Sequence, residues 1–382
     1  MVGILKYIYN CWIKNPKFNM RKFYAHSGIE AHEHGDLVLF KYKRDYWYEV
    51  NWNPKLDWDP LSRAARGIIF NRKTGELLAK PYDKFFNIGQ VPETELRNLP
   101  NQPSFFSTTE KKDGWLGISY WHEGELKIAS SGSLDSEVAK WATAWANMNL
   151  KVDEFIPGYT YIFEMIHPDF KIVVDYGEEK KLVLTGVIHT ETNKEISYEQ
   201  LMHFGNRIDC EVTPFCFFKS IEDIIEECEN LPHNEEGYVV TYPNGLKIKI
   251  KGKEYTRLHK MISDLTPLTF WRAWDLKTRM VPRDLVKDMP DEFKAEVDKL
   301  YEETDKVHND YANRIRDLYK NIIKDLGEDV PPQVFYPYIK KNYYVENAML
   351  MSLHRNNEDK FWYHIHKRVR PSENAWPDIN EI

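Results

Sequence analysis

Four short segments carry side chains whose type and spacing could do chemistry. In Glu110-Lys-Lys-Asp-Gly114, Lys111 precedes Asp113 and Gly114 just ahead of a strand-like run from Gly117. A lysine so placed can act as a nucleophile, because the glycine lets backbone approach a ligand and nearby cations favour the free amine. The same residues also make an ordinary solvated turn. In Lys247-Ile-Lys-Ile-Lys-Gly-Lys253, strand alternation puts Lys247, Lys249, Lys251 and Lys253 on one face and Ile248 and Ile250 in the core. That face suits a polyphosphate, and equally an edge strand that uses lysines to block pairing. Asn234-Glu-Glu-Gly-Tyr-Val-Val240 sets Glu236 at the mouth of the strand that pairs with the lysine run. There it could balance charge, bind a sugar hydroxyl, hold a metal through water, or serve as a turn acid. In Tyr161-Ile-Phe-Glu-Met-Ile-His-Pro168, Glu164 sits among apolar residues where a lone carboxylate is costly. His167 has no second His or Cys at ligand spacing and reads as a packed or capping residue.

The elements that must position these groups are short. Ile4, Ile8, Cys11 and Trp12 recur at helical spacing near the start. From Asp36 the texture becomes strands: Leu37–Tyr42, Gly67–Phe70, Gly117–Tyr120, Leu126–Ala129, Tyr159–Phe163, Lys171–Val174 and Gly237–Thr241. Trp121–Glu125 and Tyr242–Leu246 read as hairpin turns, and a helix is expected over Ser133–Asn147. After about Tyr255 the strand pattern stops. Phe293, Val297, Leu300, Val307, Tyr311, Ile315, Leu318, Ile322 and Leu326 keep a helical period until Pro331-Pro332, and further helices are expected over Val334–Leu353 and Glu358–Val369. The pattern predicts an α+β domain over 1–255 and an all-helical domain over 256–382.

Composition narrows the class. The 382 residues carry 52 Lys plus Arg against 59 Asp plus Glu, a net charge of -7 that argues against a wholly basic nucleic-acid coat but not against a local basic cleft. With 12 Trp and 23 Tyr the chain is too aromatic for a disordered state, and no apolar run approaches a membrane span. The four cysteines, Cys11, Cys210, Cys216 and Cys228, form no CxxC pair, which suits a reducing compartment. No signal peptide is read, so a cytoplasmic location is expected.

Taken in order, Lys111-x-Asp-Gly, the strand with Glu164, Glu236-Gly-Tyr-Val and Lys249-Ile-Lys251 resemble the covalent nucleotidyltransferases, the superfamily of ATP-dependent ligases and capping enzymes. Within it, Ala65-Arg-Gly-Ile-Ile-Phe70 and Lys80-Pro-Tyr-Asp-Lys-Phe-Phe-Asn87 resemble the phage RNA ligase 1 family of the tRNA-repair type. The resemblance implies an ATP-grasp-like α+β nucleotidyltransferase domain with mixed antiparallel sheets, followed by an all-helical domain. It implies that Lys111 becomes lysyl-AMP, within a motif that includes Asp113 and Gly114. It further implies that Tyr42, Arg66 and Lys84 contact ATP, that Glu164 and Glu236 are the motif carboxylates, and that Lys249 and Lys251 are the paired lysines. Lys247 and Lys253 are then extra cations. Trp115 stands where Ser is common, so a large ring is expected to reshape the floor of the nucleotide pocket. Ser131 stands where a basic residue is usual, so either Lys127 compensates or that contact is missing.

The implied chemistry is ATP-dependent joining of RNA ends: attack of Lys111 on the α-phosphorus, transfer of AMP to an RNA 5'-phosphate, and attack by a 3'-hydroxyl. Lys249, Lys251, a bound metal and desolvation are expected to lower the Lys111 pKa from near 10.4. Mg2+ is the expected metal, with Asp284 a possible ligand. The implied partners are single-stranded RNA ends or a broken tRNA anticodon loop, with a separate end-healing kinase and phosphatase, in the host cytoplasm if the gene is a phage's. Arg314, Arg316, Lys320, Lys324, Lys340 and Lys341 read as a solvated helix face. A DNA ligase or capping enzyme would place a β-barrel where helices are expected here. A catalytically inactive RNA-binding protein would not need Lys111.

Overall fold

The computed structural model describes residues 18–43, 58–100, 106–286, 294–372 and 375–382. The expected helix around Ile4–Trp12 and the position Phe293 lie outside these residues. Strands β1 (Ile29–His34), β2 (Leu37–Tyr42), β3 (Arg66–Asn71) and β4 (Leu77–Ala79) form an antiparallel sheet in chain order. They are followed by β5 (Phe86–Asn87), β6 (Ser107–Glu110), β7 (Trp115–His122), β8 (Glu125–Ser130), β9 (Tyr159–Ile166), β10 (Lys181–His189), β11 (Lys194–Glu195), β12 (Phe215–Cys216), β13 (Gly237–Thr241) and β14 (Lys247–Lys251). These build two five-stranded sheets, ordered β11-β10-β9-β7-β8 and β12-β6-β13-β14-β5. All pairings are antiparallel except β14 with β5.

Local chemistry explains the strands that matter. β7 and β8 are joined through Glu123 and Gly124, both at positive φ, as a two-residue hairpin whose backbone twist matches the strands requires. On β9, Tyr161, Phe163 and Met165 face one way into a core shared with the helix Glu137–Asn149, while Ile162 packs on Tyr82 and Ile188 on the other side. That helix starts at Ser136, whose hydroxyl accepts from the Ala139 N–H, and its Ala142 and Ala146 let it lie close against the sheet. Burying each large apolar side chain here contributes about 1.5–3 kcal/mol.

Two expectations are corrected. Lys171–Val174 is not a strand: after a short 3-10 turn at Pro168–Phe170, the Val173 and Val174 N–H groups donate to the Asp113 carboxylate instead of a ladder. Lys253 is not on the lysine strand, because β14 ends at Lys251 and Lys253 begins the helix Lys253–Asp264.

The chain separates into two compact units, one ending at Arg257 and the other beginning at Leu258. In the second unit every regular element among the described residues is a helix, the longest being Lys294–Leu326. Its Tyr311, Ile315 and Ile322 are buried against Phe335, Ile339, Phe361 and Ile365, and Gly327 at positive φ stops it. The expected stretch Val334–Leu353 is two helices, Pro332–Asn342 and Asn347–His354. Of the basic residues on the long helix, Arg316 binds Glu358, Lys320 binds Asp317, and Arg314 bonds the backbone carbonyl of Ile382, so these are partly structural ties.

Candidate active site

Lys111 lies in the loop between β6 and β7. Its backbone N–H donates to the Gly237 carbonyl, which ties the loop to the start of β13. Its Nζ donates to Glu236 Oε2 at 2.6 Å, and Glu236 Oε1 holds Lys251 at 2.9 Å. Gly237, at φ 131°, is required here: a Cβ would stand 2.2 Å from the Ile250 carbonyl. Gly114 is required for closeness, since a Cβ would meet the Met165 carbonyl at 2.6 Å, and its N–H donates to Glu164 Oε1 at 3.0 Å. Asp113 is buried, and its carboxylate accepts from the Val173 and Val174 N–H groups and from the Tyr255 hydroxyl at 2.7 Å. It fixes the loop that carries Lys111.

Cations converge on this loop. Lys249 is half-buried, and desolvation together with the charges of Arg66, Lys111, Lys251 and Lys84 drives its pKa well below the ordinary lysine value. Lys84 is lowered to about 7, first by burial and then by Arg66 and Arg63. Its ammonium sits among three rings, 5.0 Å from Tyr42, 4.9 Å from Trp58 and 5.3 Å from Phe86. Arg66 and Lys249 both stand over Phe85, at 5.3 and 5.2 Å. Tyr42, Arg66, Lys84, Lys111, Glu164, Glu236, Lys249 and Lys251 therefore form one site, joined by the strand ends of β2, β3, β9 and β14.

The expected lowering of the Lys111 pKa is corrected. Burial acts that way, but the charges of Glu236, Glu164 and Asp113 outweigh it and hold Lys111 above the usual lysine value. For Glu236, burial is likewise overcome, by Lys111 and Lys251, and its pKa falls. Glu164 behaves oppositely: burial pushes it up to about 7, and Glu236 and Asp113 add to that against the pull of Lys111. The two carboxylates thus differ in role, one a fixed counter-ion and the other able to take a proton near neutrality.

Other flagged residues stand elsewhere. Trp115 pairs with Met165 while Leu116 pairs with Glu164, so its ring is on the face away from Glu164 and does not floor the nucleotide pocket. It is half-exposed, and its indole N–H donates to the Phe170 carbonyl. Lys127 is paired with Glu125, and the ammonium lying against Gly132, next to Ser131, is that of Lys41. Lys247 is bound by Glu195 at 2.9 Å. His167 caps and packs, its Nδ1 accepting from the Asp169 N–H and its ring lying against Trp141 and Phe170. Asp284 lies in the helical unit, in the short turn Arg283–Val286. Among the described residues no group of three or more His, Cys, Asp or Glu side chains could hold a metal ion by itself; a divalent ion carried on polyphosphate oxygens with one or two carboxylates needs no such group. Trp58 and Arg63 were not flagged by the sequence. Arg63 binds Glu93 at 2.7 Å and lies over Phe86.

The arrangement offers an amine nucleophile, a neighbouring proton acceptor and an excess of cations for a polyanion. A family model described as RNA ligase matches residues 64–255. A putative RNA ligase of Thermovibrio ammonificans is 32% identical over 213 residues, covering 52% of this chain and 54% of that protein. The chain thus spans about half the length of that relative. An RNA ligase of Rhodothermus phage RM378 is 27% identical over 88% of this chain and 86% of its own. An archaeal ATP-dependent RNA ligase structure superposes with a TM-score of 0.46 at 14% identity, over 75% of each chain.

Proposed function

The chain belongs to the RNA ligase family, and on that premise we propose that it is an ATP-dependent enzyme joining RNA 5'-phosphate and 3'-hydroxyl ends through lysyl-AMP on Lys111. The observation that carries this reading is the half-buried convergence of Arg66, Lys84, Lys249 and Lys251 on Lys111, with Glu236 and Glu164 as the facing carboxylates. Cations outnumber carboxylates there, and a nucleoside triphosphate supplies the missing negative charge.

Lys111 waits as an ammonium paired with Glu236. Entry of the triphosphate draws Lys251 and Lys249 toward phosphate oxygens, and the Lys111 proton passes to Glu164, whose raised pKa suits it to accept. The free amine forms a bond to the α-phosphorus as the bond to pyrophosphate breaks. AMP then moves from Lys111 to the RNA 5'-phosphate. The 3'-hydroxyl displaces AMP to form the phosphodiester, with the lysines stabilising the equatorial oxygens at each step. A divalent ion bound to the triphosphate would neutralise part of its charge. Single-stranded RNA ends, including a broken tRNA anticodon loop, are the proposed substrates, prepared by separate end-healing enzymes in the cytoplasm. No helix among the described residues is long and apolar enough to cross a membrane.

The test is to offer 5'-phosphorylated single-stranded RNA and nicked duplex DNA with ATP or GTP. ATP-dependent sealing of the RNA is expected. Sealing of nicked DNA alone, or labelling by GTP in place of ATP, would replace this reading with a DNA ligase or a capping enzyme.

A further inference from the structure

Beside the reacting lysines the first unit holds a cleft of about 590 Å3. It opens where β5 stops: that short strand pairs only with Ile248 and Lys249, and beyond Lys249 this edge of β14 has no strand partner among the described residues. Its lining includes the cations Lys249, Lys251 and Lys253, the apolar Ile88, Leu96 and Ile225, and the carboxylate Glu229. Lys249 and Lys251 also belong to the site around Lys111, so the cleft adjoins it along β14. Lys253 is exposed and has no ion-pair partner among the described residues, unlike Lys247 and Lys251.

Building on the RNA ligase reading above, we propose that this cleft binds the sugar–phosphate chain of an RNA end being joined, with Lys253 on a phosphate and Leu96 and Ile88 against ribose and base. The chemistry selects this occupant. Pyrophosphate leaving ATP is small and fully charged and gains nothing from an apolar wall, whereas a nucleotide presents both a phosphate and an apolar ring face. Among the described lining residues none is aromatic, so the grip rests on phosphate and apolar contacts rather than on base stacking.

The test separates the steps. Lys253→Ala, Lys253→Arg and Leu96→Glu are compared with the unaltered protein in self-labelling with α-labelled ATP and in ATP-independent sealing of pre-adenylylated RNA. Leu96 is 38% exposed, so a charge there is compatible with folding. Self-labelling is expected to stay within about twofold, while Lys253→Ala and Leu96→Glu raise the KM for RNA by about tenfold and Lys253→Arg restores it. Lys253→Ala also lowers the salt dependence of that KM by about one phosphate contact, which a merely structural role would not do. A KM change for the adenylylated strand places the donor in the cleft, and one for the 3'-hydroxyl strand places the acceptor. Unchanged KM values for both strands, or a rise in the KM for ATP instead, would overturn the proposal. Unaltered protein that neither labels itself nor seals RNA overturns the ligase reading, and this proposal with it.

Discussion

Lys111 Nζ stands 2.6 Å from one oxygen of Glu236, and the other oxygen of that carboxylate holds Lys251 at 2.9 Å. The nucleophile is thus kept charged by the group that also steadies a phosphate-binding lysine. Glu236→Gln removes the charge and keeps the shape. The maximal rate of self-adenylylation is expected to fall by roughly 10- to 100-fold as positioning is lost. The pH of half-maximal rate moves down, because Lys111 then sheds its proton more easily. A stopped-flow pH profile checks this, and an unmoved midpoint would count against the pairing.

Glu164 costs the ligand-free protein stability. Its folded pKa of about 7 exceeds the ordinary carboxylate value, so in that window the folded state binds more protons than the unfolded one. The contribution of Glu164 is full below pH 4.5 and is lost as pH rises through 7. Glu164→Gln is therefore expected to raise unfolding stability at pH 8 by roughly 1–3 kcal/mol while abolishing efficient adenylylation. Urea melts at pH 5 and pH 8 provide the measurement; equal stability of the two proteins at pH 8 would contradict it.

Lys84, lowered to about 7, is largely a neutral amine at pH 8. A bound triphosphate favours the ammonium, so ATP binding at pH 8 takes up protons. Calorimetry in phosphate and Tris buffers should give different apparent enthalpies, with a smaller difference in Lys84→Met. Identical enthalpies for the unaltered protein would show that burial beside Arg66 and Arg63 does not hold this group neutral.

A pH effect is also expected in the helical unit. His308 is fully buried, stacked at 3.8 Å on Trp274, bonded through Nδ1 to the Thr304 carbonyl and through Nε2 to His366, which itself stacks on Trp271. Burial lowers His308 to about 4, assisted by His366, and burial alone lowers His366 to about 4. Both are neutral when folded, so the contribution of this pair is complete above pH 6.5 and drains as pH falls toward 4. His308→Phe keeps the stack without the proton site and is expected to flatten the loss between pH 6.5 and 4 in tryptophan-fluorescence melts. An unchanged slope would argue against the buried pair.

Local pattern carried much of this site. The alternation of Lys247, Ile248, Lys249, Ile250 and Lys251 gave the faces of β14 correctly as far as the strand runs, but Gly252 ends it and Lys253 starts a helix, which alternation alone does not signal. Val173 and Val174 look like strand residues because they are β-branched and extended; what uses their backbone is Asp113, distant in sequence. Trp58 and Arg63 were invisible for the same reason, since their relation to Lys84 exists only after folding. The sign of the Lys111 shift was also misjudged: sequence showed the lysines around it, but only the fold shows that Glu236 lies closer than the distances at which they repel.

The central claim is that Lys111 is the residue that carries AMP. Incubation with α-labelled ATP and a divalent ion, followed by denaturation and peptide mass spectrometry, should place an acid-labile AMP on Lys111, with none on the Lys111→Ala chain. Label that persists in Lys111→Ala, or maps to Lys84, Lys249 or Lys251, would contradict the account.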